Sequence, residues 1–120
     1  MSLRLAIEPS AGPHVPGEQV RGHVTVEGGK GIRTLDVWLA HVEWTSDFTA
    51  TARTEDIRSL ATGPVHDGRQ IPFELSLPLD APPEVQSNHG GLAWEVQVKA
   101  DVRGPDVIEG KRISVQDEQS

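Results

Sequence analysis

Leu92-Ala93-Trp94-Glu95-Val96-Gln97-Val98-Lys99-Ala100-Asp101-Val102-Arg103 alternates with a period of two. Leu92, Trp94, Val96, Val98, Ala100 and Val102 share one parity, and Glu95, Gln97, Lys99, Asp101 and Arg103 take the other. Wound into a helix, both sets would spread around the whole circumference. In a strand, one set enters a core and the other meets water.

The same alternation recurs outward from this stretch. Leu3, Leu5 and Ile7 alternate with Arg4, Ala6 and Glu8, and Val20, Val24 and Val26 with Arg21, His23, Thr25 and Glu27. Ile71, Phe73, Leu75 and Leu77 alternate with Pro72, Glu74 and Ser76. Breakers separate the runs: Pro9 to Gly17, Gly28-Gly29-Lys30-Gly31, Gly63-Pro64, Pro78 to Gly91 and Gly104-Pro105. Seven to eight strands with loops between them predict an all-β domain, a two-sheet antiparallel β-sandwich of immunoglobulin-like or arrestin-like type. Phe48, Ala50 and Ala52 predict a strand to about residue 54. From Thr54 to Ala61 the pattern fails, and irregular chain is expected over a helical turn capped by Thr54. Gly28 to Gly31 reads as a hairpin turn, since it lacks the spacing of a phosphate loop. Pro72 cannot donate to a ladder, so its strand is read as an edge or a bulge. The stretch from Asp80 to Gly91 is expected to be a long, exposed and mobile loop.

A chain of 120 residues suits a single domain, residues 1–120, with one core. The net charge of −7 and the scattered 11 Lys and Arg oppose a nucleic-acid partner. With no cysteine, neither a disulfide nor thiolate chemistry is available. Met1-Ser2-Leu3-Arg4-Leu5 has no apolar signal-peptide region, and no apolar run approaches the roughly 18 residues of a membrane span. The expected location is cytoplasmic.

Several segments, in order, resemble the arrestin-like families, which include bacterial sporulation-control relatives. Pro16-Gly17-Glu18-Gln19-Val20-Arg21-Gly22-His23-Val24 is similar to their entry into the second long strand. Leu35-Asp36-Val37-Trp38-Leu39-Ala40-His41-Val42-Glu43 follows. Ile71-Pro72-Phe73-Glu74-Leu75-Ser76-Leu77-Pro78 with Ala81-Pro82-Pro83 is the most specific run, and Leu92-Ala93-Trp94-Glu95-Val96 and Ala100-Asp101-Val102 complete the series. Glu84 stands where the family often has Ser, and the chain has room for one lobe where relatives usually have two. The resemblance implies a scaffold or adaptor, and it does not name a partner.

Nothing in the residues assembles a catalytic constellation, so no enzyme and no cofactor is expected. His14, His23, His41, His66 and His89 form no metal-ligand spacing and are read as surface or loop residues. No Ser lies in a nucleophile-elbow context. The tryptophans say more. Trp94 takes the apolar parity of its strand and should be core. If Leu35, Val37 and Leu39 point inward, then Trp38, Ala40, Val42 and Trp44 point outward, an apolar row on a polar domain. Trp38, Val42 and Trp44 are therefore the candidate partner-binding residues, for a protein partner or for self-association. A bulge near Ala40 would instead flip the parity and bury Trp44. A carbohydrate- or small-ligand-binding module, with Trp38 and Trp44 as its platform, is the alternative, opposed by the absence of tyrosine.

Overall fold

In the computed structural model, which describes residues 3–82, 85–87 and 89–116, the alternating segments are strands. They are β1 (Arg4–Pro9), β2 (Gln19–Glu27), β3 (Ile32–Thr45), β4 (Thr49–Thr62), β5 (Arg69–Ser76), β6 (Val85–Ser87), β7 (Gly90–Val102) and β8 (Val107–Ile113). β1, β2 and β5 form a three-stranded antiparallel sheet in that order. The second sheet has five strands in the order β4-β3-β7, with β6 and β8 lying end to end along the far edge of β7. The result is a two-sheet antiparallel sandwich.

The core is where the period-two arithmetic places it. Leu5 and Ile7 stand opposite Val26 and Val24, and Val24 and Val20 stand opposite Ile71 and Leu75. Facing them are Leu35, Val37 and Leu39 of β3 and Trp94, Val96, Val98 and Ala100 of β7, all in the same buried cluster. Trp94 is fully buried, and its indole N–H donates to the Pro82 carbonyl at 3.0 Å, so the polar end of the ring is satisfied inside the core. Gly22 is required by close approach. A Cβ there would collide with the Glu8 carbonyl oxygen and would lie 2.7 Å from both Phe73 Cζ and Pro9 Cα. Among the described residues β5, which carries Pro72, pairs with β2 alone, so the missing Pro72 N–H falls on a sheet edge.

Three expectations are corrected. Gly28 to Gly31 is not a hairpin turn, because β2 and β3 belong to different sheets. The chain crosses between them through a single 3-10 turn, Gly29–Gly31, entered by Gly28 at φ 71. Its anchor is distant in sequence: the Gly28 N–H donates to Asp67 Oδ1 at 2.7 Å. Thr54 to Ala61 is neither irregular nor helical but continues β4 as one 14-residue strand. Register shifts against β3 fall between Leu35 and Asp36, between Val37 and Leu39, and between His41 and Val42. Each inserts an extra β4 residue and reverses the parity, so no steady alternation survives to be read. Asp56, at φ 53, sits in the middle shift. Third, the Asp80–Gly91 stretch is not all loop, since Val85–Ser87 pairs with Leu92–Gly90. Residues 83, 84 and 88 of that stretch lie outside the described residues.

Candidate functional site

β3 pairs with β7 in unbroken register from Thr34 to Thr45. The irregularities beside Ala40 lie across the sheet in β4, and the alternative of a parity-flipping bulge near Ala40 is not realised in β3. Trp38, Ala40, Val42 and Trp44 therefore project from the outer face of the five-stranded sheet. Ala40, Val42 and Ala93 are buried there without joining the core cluster.

The rows of this face follow from the pairing. Asp36 stands between Ser59 and Lys99, Ala40 between Thr54 and Glu95, Val42 between Thr51 and Ala93, and Trp44 between Thr49 and Gly91. Trp38 is opposite Gln97 on one side and the Asp56–Ile57 bulge on the other. β8 adds Ile108, Gly110 and Arg112 opposite Lys99, Gln97 and Glu95.

The three candidate residues are thus brought together, but not as free indoles standing in water. Trp38 and Trp44 are each half-buried. The Trp38 N–H donates to Gln97 Oε1 at 3.0 Å, which leans the ring toward β7. Trp44 lies over Gly91, where a Cβ would come within 3.1 Å of its indole nitrogen. The Arg112 guanidinium sits 5.8 Å from the Trp44 ring centroid. Val42 is 1% exposed, so it acts as the floor beneath this layer. Two residues that the parity argument passed over are exposed: Ile57, at 66%, and Ile108, at 58%. Ile57 was hidden in the bulged strand. Ile108 has the even parity of Gly110 and Arg112, a signal present in the sequence.

The other outer face is of a different kind. On the three-stranded sheet Arg21 pairs with Glu74 at 2.9 Å, His23 Nε2 approaches Glu8 at 3.0 Å, and Gln19 donates to Ser76 at 2.9 Å. Polar residues dominate its outward rows, interrupted by Ala6 and Pro72, as on a solvated face.

The histidines depart from expectation, because His14 and His41 are buried. His14 lies in the β1–β2 loop and bridges to Val115, its N–H donating to the Ser114 carbonyl at 2.8 Å. His41 extends the inward row of Leu35, Val37 and Leu39 and stacks on Trp94 with centroids 4.8 Å apart. Burial, and secondarily the positive charge of Arg53 beside it, lower its pKa. Arg53 is tied to Glu55 and, at 3.0 Å, to Asp80, which links the β4 edge to the segment after β5. Asp56 accepts the Ser76 N–H at 2.6 Å across the same side of the sandwich. Burial alone would raise the Asp56 pKa, but the hydrogen bonds from Arg58 and Ser76 outweigh it and hold the carboxyl below its ordinary value. Among the described residues no three His, Asp or Glu converge as a metal site. No described helix is long and apolar enough to cross a membrane.

No family model and no curated protein matches the sequence. Among solved structures, the chain is similar to Spo0M, a sporulation control protein from Bacillus subtilis, with a TM-score of 0.73 and 26% identity. The match covers 97% of this chain and 50% of that one, so this chain spans about half the length of the neighbour. The fold is arrestin-like, as the ordered motifs implied.

Proposed function

We propose that this domain is a non-catalytic protein-interaction module, a scaffold or adaptor of the arrestin-like kind, whose contact surface is the outer face of the five-stranded sheet. The observation that carries the reading is the contrast between the two outer faces. One is dominated by polar residues. The other presents Trp38 and Trp44 over a buried Ala40, Val42 and Ala93 floor, flanked by exposed Ile57 and Ile108. An apolar, aromatic patch on an otherwise charged domain is a recognition feature. Two sheet edges are poorer candidates for strand addition. β4 carries three register shifts and β5 carries Pro72, devices that blunt an edge against pairing. The described role and bacterial source of the structural neighbour support a regulatory setting in a bacterial cell.

Site-specific photo-crosslinking in the native host tests this. A crosslinker replacing Thr51 or Thr54, on the apolar face, should yield discrete protein adducts. One replacing Gln70, on the polar sheet, should not. Equal adducts from both faces, or none from Thr51 and Thr54, would overturn the assignment.

A further inference from the structure

We infer that the occupant of this face is a second copy of the chain, stacked sheet to sheet about a two-fold axis. The inference rests on the interaction face proposed above and adds the identity of its partner.

Charge is the first argument. The chain carries −7 overall, so two copies repel at most approaches. On this face the ionisable residues are Asp36, Glu95 and Asp106 against Lys99 and Arg112, both signs within one patch and a single negative charge in excess, with Lys99 Nζ 3.3 Å from Asp106 Oδ2. Glu95 stands directly opposite Arg112, and Asp36 directly opposite Lys99. A two-fold interface sets the same patch against itself, so it needs both signs within one patch. This face has them, and its single excess negative charge is small beside the −7 of the whole chain.

Shape and size agree. Five alternate β3 positions at the usual strand rise give a patch about 30 Å long. Four neighbouring strands make it about 20 Å wide, or roughly 600 Å² per copy. Two such patches bury on the order of 1,200 Å², the lower end of the range for specific interfaces. Stacked sheets pack about 10 Å apart with strands offset by about 30°. That spacing lets the indoles of one copy lie against the threonine column Thr49, Thr51 and Thr54 of the other. The expected product is a weak, reversible dimer.

Sedimentation velocity of the whole chain, from about 5 µM to about 500 µM, reads the association. The wild type should shift from monomer to dimer across that range. Association should tighten several-fold between about 50 mM and about 500 mM NaCl, as salt screens the like-charge repulsion. The paired variant Ile57→Glu, Ile108→Glu alters two side chains that are already exposed, so folding is preserved while like charges are set across the axis. It should weaken association at least tenfold. Gln70→Glu, on the polar sheet, should leave it unchanged. A wild type that stays monomeric at about 500 µM, or a dimer indifferent to the Ile57 and Ile108 changes, overturns the inference. Crosslinks from Thr51 that join only a different protein would also overturn it while leaving the interaction face standing. Loss of those crosslinks altogether removes both.

Discussion

Replacing Trp94 tests the core. Its side chain is fully buried, makes a 3.0 Å hydrogen bond to the Pro82 carbonyl and stacks on His41. Trp94→Ala removes all three at once. The lost burial and residual cavity cost about 3–5 kcal/mol. The hydrogen bond adds about 1 kcal/mol, and the lost ring pair adds about 0.5–1.5 kcal/mol. The sum, about 4.5–7.5 kcal/mol, is a large part of the roughly 5–15 kcal/mol that holds a domain together. Trp94→Phe retains most of the ring and the stack but gives up the indole N–H, so about 1–3 kcal/mol is expected. Urea unfolding followed by circular dichroism measures both, because substitution also removes a fluorescent reporter. With a slope of about 1–3 kcal/mol per M urea, Trp94→Phe should lower the midpoint by about 1 M. Trp94→Ala should be unfolded or nearly so in buffer. A Trp94→Ala midpoint within experimental error of wild type would refute both the burial and the β7 parity from which it was deduced.

His41, whose pKa is lowered by burial and by Arg53 beside it, makes stability depend on pH. Its lowered folded pKa means that the unfolded chain takes up the proton first. Its contribution is therefore complete above about pH 6.5 and is lost as the pH falls from there through the folded pKa. His41→Phe should flatten the fall in urea midpoint between about pH 7.5 and pH 5.5, and an unchanged profile would count against the buried neutral ring. Gly22→Ala forces a methyl group against the β1 backbone and the Phe73 ring. It should cost about 1–3 kcal/mol and loosen β1 first, seen as faster hydrogen exchange from Leu5 to Glu8, whereas native-like protection there would show that the contact is not tight. Asp56 combines a left-handed backbone with acceptance of the Ser76 N–H. Asn should be tolerated best, Gly next and Ala worst, with Ala losing about 1–3 kcal/mol; a thermal-melt ranking with Ala above Asn would contradict that.

Legibility followed side-chain periodicity. β1, β2, β5 and β7 each keep one uninterrupted parity, so their inward residues, including Trp94, were identifiable from spacing alone. β4 was not, because its bulges are defined only against a neighbouring strand: the extra residues near Asp56 and Ile57 have no local signature apart from an absent alternation. His41 continued a readable row from Leu35, yet a titratable ring at its end is chemically as compatible with water as with a core. What tipped it inward was Trp94, 53 positions later and directly opposite in the β3–β7 register.

The outward parity of Trp38 and Trp44 followed from β3 alone, because alternation along one strand is a local property of an extended backbone. The condition of those rings was not local. Gln97 takes the Trp38 N–H, Gly91 gives Trp44 room to lie down, and Arg112 sits against its ring. All three are brought there by strands far along the chain. Along β3 and β7, the sequence by itself determined which side chains share a face. Only the pairing of distant strands decided how far each is covered, because exposure depends on neighbours across the sheet, and a sheet's neighbours are not neighbours in the chain.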